Sequence, residues 1–358
     1  MTNRYIARGS TSNDPSRFLH HKVILKEESD AIDEKLLQSV NIMTKFYPDK
    51  TKTILARNQS PDIGFSSSIN PYKGCEHGCV YCFARPTHAY LDLSPGLDFE
   101  SRIFYKTNAA ELLQQELNKN SYVCTPIALG TNTDPYQPGE KKLEVTRQLL
   151  TVLFDRRHPL TIVTKSTLIE RDLDLLIELA QHNLVSVNIS ITTLSKRLKN
   201  QLEPRTASPN ARLRLVEKLR MKGVPVGVLV APIIPFINDQ EIESIVFQSA
   251  RAGAVSCSGI LLRLPLEVKD LFDEWLQKYY PLKRDRVMSA IRDMRGGKEN
   301  DPRWFSRMRG EGPTAKMIWS RFRSALKKAG IVGQQLPELD CSQFVLENPS
   351  GPRQLSLI

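Results

Sequence analysis

Three thiols, Cys75, Cys79 and Cys82, stand in one ten-residue stretch, Lys73-Gly-Cys-Glu-His-Gly-Cys-Val-Tyr-Cys82, at the spacing C-x3-C-x2-C. Thiolates are soft ligands. Three of them this close can each bind a different iron of a cubic [4Fe–4S] cluster and leave the fourth iron open to a non-protein ligand. The competing chemistry is zinc, with His77 completing a Cys3His set. His77 lies between the first two thiols, where a short loop strains to close a tetrahedron around one ion. Structural zinc sites also usually draw a second ligand pair from a distance, and Cys124, Cys257 and Cys341 stand singly. Six cysteines in 358 residues are too sparse for a disulfide framework.

The chain that must position this loop is 41% hydrophobic over 358 residues, enough for one large core with a small appendage. No window approaches a membrane-spanning run of roughly 20 apolar residues. The opening Met1-Thr-Asn-Arg-Tyr5 has no apolar signal region. A cytoplasmic, reducing location with no membrane contact is expected. The net charge of +11 is concentrated: residues Pro281 to Gly330 hold 14 Lys/Arg against five acids, a net +9. Trp304, Phe305, Trp319 and Phe322 are interleaved with those charges. Basic charge draws phosphate backbones and aromatics offer unpaired bases a stacking face, so this segment is a candidate nucleic-acid surface. The alternative is a solvated basic helix pair whose Trp and Phe close the end of the fold.

Hydrophobic periodicity divides the chain into an irregular polar arm over residues 1–60 with one short helix near Asp33–Lys45, a core over 61–280, a basic, mostly helical extension over 281–346, and a Pro/Gly-containing tail over 347–358. In the core, strands are expected at Phe65–Asn70, Pro126–Gly130, Leu160–Thr164, Val185–Thr192, Val224–Ala231 and Gly259–Leu264. Helices are expected between them, at about Gly139–Phe154 and Leu168–Gln181 and on either side of Glu203-Pro-Arg205, the second capped by Ser208-Pro209. Alternation of strands with amphipathic helices is the pattern of an α/β fold, and six such units make a partial (β/α)6 TIM-like barrel. In a barrel the catalytic groups sit at the C-terminal ends of the strands. Polar groups stand there in this sequence: Gly130-Thr-Asn-Thr-Asp-Pro-Tyr136, Thr164-Lys-Ser166, and Asn188, Ser190, Thr192 and Thr193.

Several of these segments, in order over about Pro71 to Pro235, resemble one family. They are Cys75/Cys79/Cys82, Thr131-Asn-Thr-Asp134, Val163-Thr-Lys165, Asn188-Ile-Ser190, Glu203-Pro204 and Val230-Ala-Pro-Ile233. The chain resembles the branch of the radical S-adenosylmethionine (SAM) superfamily that contains spore photoproduct lyase, and more closely that branch's uncharacterised bacterial members. Residues Arg57 to Phe65, and Asn70 to Glu100 with Phe83-Ala-Arg-Pro-Thr-His88, resemble those closer relatives' own signature. The resemblance implies the radical SAM barrel, a [4Fe–4S] cluster on the three cysteines, and SAM on the open iron. It also implies that Tyr81, Lys165 and Ser190 lie against SAM, and that an electron donor such as flavodoxin or ferredoxin reduces the cluster. SAM needs acceptors for its ammonium, donors for its carboxylate and partners for its ribose hydroxyls. Asp134, Lys165, and Ser190 with Asn188 are the respective candidates. Thr131, Asn132 and Arg205, in or beside the matched segments, complete the set. Lys165 paired with Asp134 alone is the structural alternative.

One departure matters. Spore photoproduct lyase has a hydrogen-donating cysteine at the tip of strand two, where this chain has Gly130-Thr131; Cys124 stands at the other end of that strand. The resemblance therefore supports SAM cleavage and argues against thymine-dimer reversal. The tail adds a second resemblance: Gln354-Leu-Ser-Leu-Ile358 is similar to the bacterial sliding-clamp-binding peptide, with an ordinary tail folding onto the barrel as the alternative. The expected function is SAM cleavage to a 5′-deoxyadenosyl radical acting on DNA, in repair or modification. The rivals are radical modification of RNA or protein, and a clamp-associated Fe–S binder without catalysis.

Overall fold

The computed structural model describes residues 7–18 and 42–346. Its strands are β1 (Lys45–Asp49), β2 (Ala56–Arg57), β3 (Ser67–Ile69), β4 (Tyr72–Lys73), β5 (Arg102–Lys106), β6 (Ile127–Leu129), β7 (Leu160–Thr164), β8 (Val185–Ser190), β9 (Val226–Ile233) and β10 (Ser256–Leu261). The helices are α1 (Asp98–Ser101), α2 (Ala109–Leu117), α3 (Glu140–Leu143), α4 (Val145–Asp155), α5 (Leu173–Gln181), α6 (Lys196–Leu202), α7 (Pro209–Met221), α8 (Ile242–Arg251), α9 (Val268–Tyr279), α10 (Arg284–Asp293), α11 (Ser306–Arg309) and α12 (Gly312–Lys328). Strands β3, β6, β7, β8, β9 and β10 lie in that order in one parallel sheet, and β2 pairs antiparallel with β3 at its edge. This is the expected partial (β/α)6 barrel, and α10 to α12 supply the helical C-terminal region.

Period-two alternation gives the sheet two unlike faces. On β8, Val185, Val187 and Ile189 are fully buried in the apolar core shared with the helices. Ser186, Asn188 and Ser190 take the other face. Register places Val163, Asn188, Gly227 and Ser256 side by side, and Ser190, Leu229 and Ser258 in the next row. A Cβ on Gly227 would meet Asn188 Oδ1 at 2.7 Å and Ser256 Oγ at 2.9 Å, so those side chains converge inside the curved sheet. The inner face is therefore a lumen lined by small and polar groups. Leu336 closes in from one end, with its Cδ1 3.3 Å from the same Cβ position. Residues 331–346 cross that N-terminal end: Asp340 N–H donates to Asn183 O (3.0 Å), Val345 N–H to Arg156 O (3.1 Å), and the Phe344 ring packs on His158.

The structure corrects the sequence reading at several points. The arm is not wholly irregular: β1 joins β5 and β4 in a second three-stranded sheet, with Tyr47 stacked on Phe104 at 5.2 Å. Lys45 begins β1, and the rest of the helix expected near Asp33–Lys45 lies largely outside the described residues, as do the 347–358 tail and Gln354–Ile358. The sixth strand is Ser256–Leu261 rather than Gly259–Leu264; Leu262 and Leu264 are apolar because they pack in a second cluster with α9. The helix expected at Gly139–Phe154 breaks at Glu144, whose φ of 53° turns the chain between α3 and α4.

The open side between β10 and β2 is bridged by one carboxylate. Asp62, in the β2–β3 connection, accepts from Arg307 Nε (2.7 Å), Arg307 Nη2 (2.5 Å) and Phe305 N–H (2.9 Å). Arg295 fastens the same turn to the end of β10 by donating to Ser306 O (2.6 Å) and Leu262 O (2.7 Å). Hydrogen bonding by Arg307 holds the Asp62 carboxyl below its ordinary range. Its stabilisation is therefore present above about pH 4 and is lost as pH falls through the lowered folded-state value. Asp62→Ala should cost about 3 kcal/mol at pH 7, because Arg307 is left without its anion. Denaturant titration at pH 7 and pH 3.5 checks this. A deficit that does not shrink at the lower pH would show that the charge is not what stabilises the bridge.

Candidate cofactor site

The cysteine loop follows β4 and turns through Gly74 and Gly78, with φ of 82° and 67°. A side chain on Gly78 would meet Glu100 Oε2 at 2.7 Å, and one on Gly9 would strike Gly78 O at 1.7 Å. Residues 7–18 therefore lie directly against the loop. Beneath it, Arg85 and Glu100 are both fully buried and paired at 2.5 Å. Arg85 also donates to the carbonyls of Cys79 (2.8 Å), Pro95 (3.0 Å) and Gly96 (2.8 Å). Glu100 accepts the N–H groups of Gly9 (2.9 Å) and Ser10 (2.8 Å). The sequence marked Arg85 only as part of a signature, and its pairing with Glu100 carried no local signal.

Cys75 and Cys79 are buried and Cys82 is partly exposed. Burial pushes the Cys75 thiol well above its ordinary range. It pushes Cys79 to about 12, against the opposing pull of the Lys165 charge. The protein alone does not stabilise thiolates here, so metal must displace the protons. Among the described residues no three Cys, His, Asp or Glu donors converge on a single ion. His77 places Nδ1 3.3 Å from Asp134 Oδ2. Thiols that each take a different iron need no such convergence. The donor set fits a cluster with one open iron.

Tyr81 reaches the other way. Its hydroxyl donates to the fully buried Glu203, and Thr192 Oγ1 lies 3.2 Å from it. Arg212 pairs with Glu203 at 2.5 Å and donates to Ser190 O at 2.8 Å, tying the end of β8 into the same network. Burial pushes Glu203 upward, but Arg212 and Lys165 hold it below the ordinary range. Lys165 Nζ stands 6.0 Å from the Tyr81 ring centroid. Burial pulls its pKa down, yet Cys79, Glu203 and Asp134 raise it overall. Among the described residues this ammonium has no hydrogen-bond or ion-pair partner, so the simple Lys165–Asp134 pair is not formed.

Asp134 is engaged elsewhere. It accepts from Thr164 Oγ1 (2.7 Å), Lys165 N–H (2.8 Å) and Tyr136 N–H (2.9 Å). Burial pushes it up, but His77 and these donors bring it down to about 2. Its lone pairs are spent on fixing the end of β7, which leaves no acceptor for an ammonium. Arg205 pairs with Glu76 (2.9 Å) and braces the cysteine loop through its N–H to His77 O (3.3 Å). Asn132 N–H and the Thr131 hydroxyl meet the Asn70 amide. Asn188 and Ser190 face the lumen, with Ser190 Oγ donating to Ala231 O (3.3 Å). Cys124 lies at the opposite end of the barrel, 3.7 Å from His158 Nε2.

The basic extension is less free than its charge suggests. Arg284 pairs with Asp273, Arg292 with Glu299, Arg303 with Asp301, Arg307 with Asp62, and Arg321 with Glu243. Lys316, Arg323 and Lys327 of α12 are exposed at spacings of seven and four, one helical stripe, and among the described residues no ion pair engages them. Of the four aromatics, Phe322 is buried beside Trp319 (5.7 Å), whereas Trp304 and Phe305 are each 58% exposed.

A sequence profile of the Radical SAM superfamily matches residues 69–248. An uncharacterised protein of Mycobacterium tuberculosis is 39% identical over 231 residues, 63% of this chain and 68% of its own length. An uncharacterised protein of Methanocaldococcus jannaschii is 31% identical over 173 residues, 48% of this chain and 62% of that one. Among solved structures, spore photoproduct lyase complexed with dinucleoside spore photoproduct superposes with a TM-score of 0.57 at 18% identity, covering 79% of each chain. That last likeness is one of fold.

Glu203 and Arg212 should behave as one unit. Glu203→Ala alone leaves a buried guanidinium unpaired and should cost roughly 3–5 kcal/mol, while adding Arg212→Met should restore part of the loss. Chemical denaturation of both variants measures the coupling. Strictly additive losses would show that the pair is not a unit.

Proposed function

Because this chain belongs to the radical SAM superfamily, a family of enzymes that work with a [4Fe–4S] cluster and SAM, we propose that Cys75, Cys79 and Cys82 hold the cluster and that SAM completes its open iron. A reduced cluster held there would supply one electron to SAM, and breakage of the C5′–S bond would give methionine and a 5′-deoxyadenosyl radical. The chain's own residues bind and orient. Lys165, whose ammonium has no hydrogen-bond or ion-pair partner among the described residues, faces the SAM carboxylate. Ser190 and Asn188 on β8 offer hydrogen bonds to the ribose. Tyr81, fixed by Glu203 and Thr192, sets the floor beneath Lys165. Asp134 positions Lys165 through its backbone N–H rather than by touching SAM.

The substrate we propose is nucleic acid, with DNA repair or modification as the reaction class. The observation that carries this reading is the unpaired stripe Lys316, Arg323 and Lys327 on α12, a phosphate-binding face on a fold whose lumen is lined by small polar groups. The likeness to a lyase crystallised with a dinucleoside photoproduct is consistent with it. Thymine-dimer reversal is not proposed, since Gly130-Thr131 stands where that enzyme type keeps its hydrogen-donating cysteine. A flavodoxin or ferredoxin would deliver the electron, and Gln354–Ile358 would dock on a sliding clamp.

Four outcomes are expected. Anaerobic reconstitution should give about four irons per chain, lost on changing Cys75, Cys79 or Cys82 to Ala and retained when Cys124, Cys257 or Cys341 is changed. With dithionite and SAM the protein should release 5′-deoxyadenosine. Lys165→Ala should weaken SAM binding by roughly 1.5–3 kcal/mol; equal affinity in calorimetry would remove Lys165 from the site. Reversing Lys316, Arg323 and Lys327 to Glu should weaken polynucleotide binding and flatten its salt dependence. Should the wild type bind neither DNA nor RNA at low salt, a protein or small-molecule substrate would replace the nucleic acid.

A further inference from the structure

Three guanidiniums gather where β10 ends, and two of them are held by oxygen acceptors, although Arg295 Nε, like that of Arg263, is buried with no partner. Arg307 is held by Asp62, and Arg295 donates to the carbonyls of Leu261, Leu262 and Ser306. Arg263 is different. Its Nη1 reaches only the sulfur of Met308, at 3.8 Å, a weak acceptor. Its Nε is buried with no partner. Among the described residues no carboxylate lies within ion-pair reach of it, and the nearby Asp62 is occupied by Arg307. Burial and the Arg307 charge both pull its pKa down, against the opposing charge of Asp62. A half-buried charge without a counterion is costly, and an oxyanion from solvent would remove that cost.

Its surroundings say what carries the oxyanion. The guanidinium stacks on the ring of Phe83 at 5.3 Å, and Phe83 directly follows the third cysteine and is 43% exposed. Met308 lies one turn beyond Phe305, whose own ring is 58% exposed and whose backbone is pinned by Asp62. A fork of N–H donors beside the exposed Phe83 ring, with the exposed Phe305 one turn from its Met308 contact, suits a phosphodiester with an unpaired base beside it. We propose that Arg263, with Phe83 and Phe305, anchors the substrate at the rim of the cluster loop, Arg263 taking phosphate oxygens of a single strand and the rings stacking on the adjacent base. This rests on the nucleic-acid reading above. The other source of an oxyanion at this mouth is the carboxylate of SAM.

Binding of a fluorescent single-stranded oligodeoxynucleotide across a salt series, together with SAM calorimetry, tests the assignment on cluster-loaded protein. Arg263→Gln should weaken DNA binding about tenfold and reduce the slope of log K against log salt by about one. Arg263→Lys should keep the slope and lose only part of the affinity, since a point charge replaces a fork. Phe83→Ser should lower affinity and leave the slope alone. If Arg263→Gln fails to load iron, the Lys and Ser variants decide. Wild-type affinity and slope in Arg263→Gln, or in both of the other two variants, would overturn the proposal. So would a loss of SAM affinity with DNA binding intact, which would assign Arg263 to the SAM carboxylate. A wild-type chain that binds no oligonucleotide would instead overturn the nucleic-acid reading itself.

Discussion

A guanidinium with no access to solvent organises the cysteine loop. Arg85 spends its donors on the carbonyls of Cys79, Pro95 and Gly96 and on Glu100, and Glu100 spends its oxygens on Arg85 and on two amides of the N-terminal segment. Neither charge can relax toward water, so their mutual geometry is over-determined. That rigidity matters because the thiols themselves are poorly stabilised as anions. A loop that must give up protons to bind iron needs its shape supplied by something other than the ligands. The buried pair supplies it, and the close approach of Gly9 to Gly78 extends the same constraint to a segment about 70 residues away in sequence.

The sheet is stabilised from one side. Val185, Val187, Ile189, Val226, Val228 and Val230 bury their side chains against the helices, while the opposite face mixes Ser186, Asn188, Ser190 and Gly227 with Val163 and Leu229. A parallel sheet is ordinarily apolar on both faces. Here the inner face is partly polar, crossed at its N-terminal end by residues 331–346, with Lys165 and the cysteine loop at the other end. The asymmetry is what allows a large ligand to approach a buried loop.

Much of this was readable from sequence, for identifiable reasons. Strand β7 and the Ser208-Pro209 cap fall where periodicity and local chemistry put them. The cysteines announce themselves by spacing. What stayed hidden depends on partners distant in sequence. Asp134 reads as a free acceptor until the β7 backbone and His77 are seen around it, and nothing local to Arg205 announces its pairing with Glu76. Likewise a net charge of +9 says nothing of how many arginines are answered by Asp62, Glu243 or Asp273 from other elements. The pairing of β1 with β5 spans more than 50 residues and has no local signature.

Closure of the lumen by residues 331–346 also fixes an order of events during synthesis. Every strand of the sheet is made before the segment that seals its N-terminal end, and domains begin to fold while the chain is still being extended. Until that segment leaves the ribosome, the nascent barrel is a tube open at both ends, with water reaching the rows of Ser, Thr and Asn from either direction. Sealing is thus a late, separable event, and a ribosome-stalled chain lacking these residues would present its lumen from the face that the finished protein hides.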